Sequence, residues 1–328
     1  MNGDAERVGR TSGPDTAPDA KHVVVCNPAS GTEDHVDQVR ALARERDFVV
    51  RITEQEGDAV RFAREAAADG AELVVASGGD GTINEVVNGV LEADAFAETT
   101  LAVVPTGTGN NFASNVGVDS VESAFEAIDT GRRRRIDLGT ANGRAFVNSC
   151  VGGLTAEASA ATTPSEKRRF GVLAYVGRTL ETITSFDSLP IRATLDPKPE
   201  DCGGSSRRTW TGEAMLVLVG NCRRFGGTGH TQAHVEDGLF EVTIVENAST
   251  TDLVGEAALA RVFERDERRI VRHRVPSLTL ESLRDEPIEY SLDGEMLAAE
   301  TLSLETTATT LEVVVGDRYR PDPDVSGE

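Results

Sequence analysis

The chain has 328 residues, enough for two domains, and 39% of them are hydrophobic, enough to fill two cores. Its formal net charge of −22 excludes a generic nucleic-acid binder, which must present a basic face to phosphates. Lys21, Lys167 and Lys198 are the only lysines, and this acidic, lysine-poor composition resembles that of proteins from extreme halophiles, whose carboxylates keep the surface solvated in screened salt.

Residues 1–20 are polar, rich in Gly, Pro, Asp and Thr, and read as a disordered tail with no signal-peptide core. From Lys21 strand and helix alternate. The run 22–27 (HVVVCN) is a strand stopped by Pro28 and Gly31. A helix carrying Val36, Val39 and Leu42 follows, then a strand at 48–52. Asp58 is placed as the cap of a helix with Ala59, Phe62, Ala63 and Ala66 on one face. The run 72–77 (ELVVAS) is a strand, and Ile83, Val86, Val87, Val90 and Leu91 mark the next helix face. A strand at 101–105 and a helix through Val121, Ala124, Phe125 and Ile128 complete a β-α-β-α order. That order predicts a mostly parallel, Rossmann-like sheet covered by helices over 21–137.

After Asp137 the pattern changes. A strand is expected at 144–151 and one or two helices within 156–186. Strand-like runs follow at 189–195, 210–219, 239–246, 269–275, 277–281, 288–292, 301–305 and 310–315, interrupted by a helix near 252–263. Strands in series predict an antiparallel β-sandwich over 138–305. Residues 196–208 read as a loop insertion. Cys26, Cys150, Cys202 and Cys222 form no CxxC pair; Cys26 and Cys150 read as buried thiols, and a reducing cytosol fits. No apolar run approaches a membrane span, so action on a lipid would be at the membrane surface.

The strongest chemical signal is GGDGTINE, Gly78 to Glu85, which leaves a strand and opens a helix. Glycines there let backbone N–H groups approach a phosphate, and the helix N-terminus adds favourable charge. Asp80 is a candidate for organising Mg²⁺, and Thr82 offers a hydroxyl. The spacing matches neither the Walker A loop nor the dinucleotide fingerprint. A glycine-rich turn with a capping Asp is the plain alternative for this motif taken alone. Two more polar, glycine-bearing loops end strands, Asn27-Pro28-Ala29-Ser30-Gly31 and Pro105 to Phe112 (PTGTGNNF). Ligands bind open α/β sheets beyond the carboxyl ends of the strands, so the three loops are expected to share one cleft.

NPASG, GGDGTINEVVNG and PTGTGNNF, with Ile136-Asp137-Leu138-Gly139 and Leu292-Asp293-Gly294-Glu295 downstream, resemble the diacylglycerol kinase family, with its sphingosine kinases and bacterial lipid kinases. The resemblance covers about residues 21–317. It implies an ATP-binding α/β domain followed by a β-sandwich, with the last strands, about 306–320, returning to the first domain. It implies ATP contacts from Thr53, Gly78, Gly79, Asp80, Gly81, Thr82, Ile83, Asn84 and Thr108, with Asn111 beside them. It further implies that Asp80 helps hold catalytic Mg²⁺ and that Glu295 is the general base, with Asp293 the next candidate. A structural Mg²⁺ site matches the loop 234–239, with Asp237 giving a carboxylate and His234 and Leu239 backbone carbonyls; a plain hairpin turn is the alternative.

The chain departs from that family at Asn111, where Asp is usual, at Thr32, often basic, and after Phe225-Gly226-Gly227, where a proline is missing. The run Arg132 to Arg135 reads as a solvated or salt-bridged surface, whereas Lys167-Arg168-Arg169 is equally suited to steering toward anionic headgroups. The expected function is phosphoryl transfer from ATP to the hydroxyl of a diacylglycerol-like lipid, or of a diether glycerol lipid if the halophile reading holds. NAD kinase-like activity and a non-catalytic nucleotide-binding regulator are the alternatives. The expected location is cytoplasmic with peripheral membrane contact, and a homodimer is admitted.

Overall fold

The structure is a computed structural model that describes residues 20–31, 35–153, 188–198, 207–224, 232–247 and 269–322. The expected tail, Thr32, the helices within 156–186, Lys167–Arg169, most of the 196–208 insertion with Cys202, the loop at Phe225 and the helix near 252–263 lie outside those residues.

The first half follows the hydrophobic periodicity closely. Strands β1 (His22–Cys26), β2 (Val49–Ile52), β3 (Leu73–Gly78) and β4 (Thr100–Pro105) pair in parallel in the order β2-β1-β3-β4. Both faces of β3 and β4 are buried, which is why these segments read as continuous rather than alternating apolar runs. Helices α1 (His35–Arg44), α2 (Asp58–Ala68) and α3 (Asp80–Glu92) connect them. Asp58 is the first residue of α2 and not its cap, which is Gly57 at φ 81°. The Asp58 carboxylate instead accepts from the N–H groups of Glu54 and Gln55 and from Arg61, and these donors hold its pKa down at about 2. After β4 come the short α4 (Asn111–Asn115), which periodicity had not indicated, and α5 (Val121–Thr130) with a Ser120/Ser123 capping box.

The second half is mostly antiparallel. Strand β5 (Arg133–Ala141) carries the arginine run, and its arginines are paired: Arg133 and Arg135 with Glu312, Arg134 with Glu236. The single strand expected at 144–151 is two, β6 (Arg144–Phe146) and β7 (Ser149–Gly153). Strands β8 (Leu189–Asp196), β9 (Arg208–Gly220), β10 (Phe240–Glu246), β11 (Ile270–Val275), β12 (Ser277–Ser282), β13 (Ile288–Leu292) and β14 (Glu295–Ala299) follow. They close over a second core that includes Phe146, Ile191, Val217, Phe240, Leu280 and Tyr290.

The runs expected at 301–305 and 310–315 are one strand, β15 (Thr301–Val314), with an irregularity between Thr307 and Leu311. Its start pairs with β12, and its end runs parallel to β4 through Val313 and Leu101. At the irregularity, Thr309 adopts φ 48° and donates its N–H to Asp137. Cys26, Cys150 and Cys222 are buried free thiols. Among the described residues no helix is long and apolar enough to cross a membrane.

Candidate active site at the carboxyl ends of β1, β3 and β4

Three loops meet where β1, β3 and β4 end. Asn27 Nδ2 donates to Thr82 Oγ1 at 3.0 Å, and the Ser30 and Thr106 hydroxyls lie 2.9 Å apart. The glycines make the approach possible. A Cβ on Gly107 would fall 2.2 Å from the Cα of Gly79, and one on Gly31, already at φ +70°, would fall 2.0 Å from the carbonyl oxygen of Thr106. The loops therefore touch backbone to backbone, which side chains would prevent.

Asp80 opens α3 and reaches across to α4. Its Oδ1 accepts from the N–H of Phe112 (3.0 Å) and from Asn148 Nδ2 (3.2 Å). Its Oδ2 accepts from the N–H and from Nδ2 of Asn111, both at 3.1 Å. The carboxylate thus caps α4 from a neighbouring loop, as an N-cap side chain does locally. By helix geometry the N–H groups of Asp80, Gly81 and Thr82 have no acceptor within α3 and face the loop cluster. The Ile83 N–H is already given to the Gly79 carbonyl, and its side chain is core. Thr53 sits half-buried just beyond β2, and Thr108 half-buried in the β4 loop.

Asn84 points elsewhere. It is 2% exposed, and its Nδ2 bonds the Ala145 carbonyl and Asp293 Oδ2. Asp293 occupies the two-residue turn between β13 and β14, with φ 53° at Asp293 and 110° at Gly294, both positive as a type I′ hairpin requires. Its carboxylate also accepts from the N–H groups of Val147 (2.6 Å), Asn148 (2.9 Å) and Ser149 (2.8 Å). These donations draw residues 147–148 out of the sheet, which is the reason for the break between β6 and β7. Burial raises the Asp293 acid to about 6 against the pull of its donors. Half-buried and with both oxygens occupied, Asp293 anchors the hairpin and is not a reserve base.

Glu295, two residues on, is exposed at the start of β14. It faces α3: burial first, then the Glu295 charge, holds the Glu85 carboxyl above its ordinary value. The anchored hairpin therefore presents one solvated carboxylate beside the helix that Asp80 opens.

Sequence reasoning missed Asn148 and Arg223. The Arg223 guanidinium is largely desolvated, which lowers its pKa, and the Asp80 charge opposes that shift. Its segment is held by Asn221 N–H on the Asn148 carbonyl, Cys222 N–H on the Val147 carbonyl and Asn115 Nδ2 on the Cys222 carbonyl. Neither residue belongs to a local motif that would reveal it.

The donor set around Asp80 suits a hard cation. It offers one carboxylate and the side-chain oxygens of Asn111 and Asn148, and Asn148 Oδ1 is a buried acceptor with no hydrogen-bond donor. The loop 234–239 is different. Asp237 Oδ2 is paired with Arg274, its Oδ1 accepts from the Leu239 N–H at 3.1 Å, and His234 Nδ1 accepts from the Glu236 N–H. A guanidinium already neutralises the Asp237 carboxylate, so Asp237 as it stands is an ion-pair partner and is not free for a divalent cation. The loop is tied instead through Gly238 N–H to Asp137, at 2.7 Å.

Comparisons with known proteins agree with this architecture. Residues 21–141 match the family described as diacylglycerol kinase catalytic domain, and residues 148–315 the YegS C-terminal NAD kinase beta sandwich-like domain. The chain is 33% identical over 299 residues to the "Probable lipid kinase YegS-like" of Pseudomonas aeruginosa (strain UCBPP-PA14), covering 89% of this chain and 93% of that one. It is 30% identical to the diacylglycerol kinase of Bacillus subtilis (strain 168), covering 86% and 92%. Two solved structures from Bacillus anthracis str. Sterne share the fold. One has TM-score 0.72 at 24% identity, covering 94% of this chain and 100% of that chain. The other, described as a diacylglycerol kinase, has TM-score 0.66 at 22% identity, covering 92% and 98%. The chain belongs to the diacylglycerol kinase and YegS-like lipid kinase family.

Proposed function

Starting from that membership, we propose that the chain transfers the γ-phosphoryl group of ATP, with Mg²⁺, to the hydroxyl of a diacylglycerol-like lipid. The observation that carries this reading is the joining of the Asp80 loop to the Glu295 hairpin through Asn84 and Asp293. It brings the helix that Asp80 opens together with the hairpin that carries the exposed Glu295 carboxylate.

In this reading the N–H groups opening α3 and the Gly-rich β4 loop hold the phosphates, with Thr53 and Thr108 at the edges of the nucleotide. Asp80, with the oxygens of Asn111 and Asn148, would hold the cation. Bound Mg²⁺ supplies charge neutralisation on the phosphate oxygens. Glu295 accepts the hydroxyl proton as the new O–P bond forms and the bond to the ADP leaving group breaks. Catalysis otherwise rests on positioning. The lipid is met at a membrane surface. If the composition reflects a high-salt cytoplasm, a diether glycerol lipid is the corresponding acceptor.

The test is the purified protein with γ-labelled ATP and Mg²⁺, offered diacylglycerol, a diether glycerol, a sphingoid base or NAD. Label in the phase-extracted glycerolipid is the expected result. Label on NAD alone, or nucleotide binding with no transfer to any acceptor, would overturn it.

A further inference from the structure

Asn148 touches both carboxylates that organise the site, Asp80 and Asp293. It lies in the gap between β6 and β7 and is 4% exposed. Its N–H donates to Asp293 Oδ1 at 2.9 Å, its carbonyl accepts from the Asn221 N–H at 2.9 Å, and its Nδ2 donates to Asp80 Oδ1 at 3.2 Å. The backbone is therefore clamped on two sides, and only the amide plane is free to turn.

One atom in this arrangement is left over. Asn148 Oδ1 is shielded from solvent and receives no hydrogen bond. A buried acceptor without a donor is costly, and such an atom in a folded protein calls for an explanation. The chemistry of the amide offers one. Half a turn about its terminal torsion exchanges N and O, which is a small motion. In the turned state an oxygen would face the Asp80 carboxylate across the gap that Nδ2 spans here. Two oxygens at that separation repel unless a positive charge lies with them, and then both become ligands. Hard divalent cations take such oxygens, amide carbonyls included. Asn111 sits on the opposite oxygen of Asp80 in the same sense, with Nδ2 at 3.1 Å, but it is exposed and its oxygen is free to water. Asn221 Oδ1 is likewise buried without a donor, but its amide gives Nδ2 to the Asp137 and Val147 carbonyls, whereas that of Asn148 gives Nδ2 to the Asp80 carboxylate.

We propose that Asn148 is a ligand to the divalent cation that accompanies the nucleotide, its amide giving N–H to Asp80 when no cation is bound and Oδ1 to the cation when one is. This rests on the kinase reading above and adds a residue and a switch to it. Because the Asn148 N–H is bonded to Asp293, the same residue also transmits the position of the cation site to the hairpin that carries Glu295.

The experiment uses Mn²⁺ as the probe, followed by electron paramagnetic resonance on the full chain with and without ATP, beside thermal unfolding in chelator and in Mg²⁺. In wild type, ATP and Mn²⁺ should bind cooperatively. Asn148→Ala should bind Mn²⁺ with ATP at least about tenfold more weakly, with metal-free ATP binding little changed. Asn148→Asp should bind Mn²⁺ at least as tightly as wild type, yet unfold at a lower temperature in chelator, because two carboxylates then face each other, and recover in Mg²⁺. Should Asn148→Ala prove too unstable to measure, Asn148→Asp decides the matter by this metal-dependent recovery. Equal Mn²⁺ affinity in wild type and Asn148→Ala, or an Asn148→Asp unfolding temperature indifferent to Mg²⁺, overturns the assignment of Asn148 alone. A wild-type protein that binds no Mn²⁺ with ATP overturns both this assignment and the kinase reading.

Discussion

The Asp293 carboxylate accepts a hydrogen bond of 3.1 Å from Asn84 Nδ2, so the LDGE hairpin and the GGDG helix hold one another although 209 positions separate them in the chain. This bond makes one site of two motifs. The same carboxylate takes the N–H groups of Val147, Asn148 and Ser149.

The first prediction concerns pH. Asp293 has a folded pKa of about 6 against an ordinary value of 3.8. The folded state holds the proton more tightly than the unfolded chain does. Its contribution to stability is therefore complete below about 3.8 and is lost as pH rises through about 6. Asp58 acts oppositely: held at about 2, it stabilises above 3.8 and loses this only as pH falls toward 2. Activity should follow the charge on Asp293, because protonation removes an acceptor from the turn that presents Glu295. Between pH 7 and 5, kcat should fall on a single-proton limb while the unfolding midpoint holds or rises. Asp293→Asn should remove the limb and lower the midpoint at pH 7, since an amide cannot accept from all four donors. An unchanged limb in that variant would assign the titration to another group.

The second concerns Glu295. Its side chain is exposed and holds nothing together, so Glu295→Gln should leave the unfolding midpoint unchanged. The loss should fall on kcat, by about 10²–10⁴-fold, with the ATP KM little altered. Wild-type kcat in this variant would remove Glu295 from the chemistry.

The third concerns Asp80 and Asn111. Asp80→Ala should abolish turnover, and it should also destabilise. The variant leaves the N–H groups of Asn111 and Phe112 at the start of α4 without their acceptor, a loss comparable to a helix cap, about 0.5–2 kcal/mol. Asn111→Asp replaces a donor to Asp80 with a second carboxylate. Its unfolding midpoint should fall in chelator and recover in millimolar Mg²⁺. A midpoint equal to wild type in chelator would mean that the Asn111 amide contributes nothing to the Asp80 site.

The fourth concerns salt. A charge of −22 on one chain repels itself most strongly where it is most compact, in the folded state. The midpoint should climb from low to molar KCl as screening sets in. A flat or falling curve would remove the argument for a high-salt origin and with it the diether lipid as acceptor.

The parallel half was legible in the chain because its signals are local. A run such as Leu73 to Gly78 announces a buried strand by its side chains alone, and Gly78-Gly79-Asp80-Gly81 announces a tight strand-to-helix turn. The irregular places were not legible. The strand written in residues 144–151 is broken at Val147 and Asn148 because Asp293, far along the chain, takes their N–H groups. The two runs at 301–305 and 310–315 join into β15, with Thr309 bonded to Asp137 at its irregularity. Asp237, a metal-ligand candidate by its loop, is turned to Arg274 on β11, which no spacing along the chain foretells.

Sequence by itself determined the order of strands and helices, the three glycine loops and the family they resemble, because backbone sterics and hydrophobic periodicity act between near neighbours. Only the tertiary structure decided what each carboxylate does. Asp80 caps α4, Asp293 anchors a hairpin, Asp237 pairs with an arginine, and Glu295 alone among these four stands open to solvent. A carboxylate's role depends on which donors come within hydrogen-bond reach, and long-range strand pairing settles that.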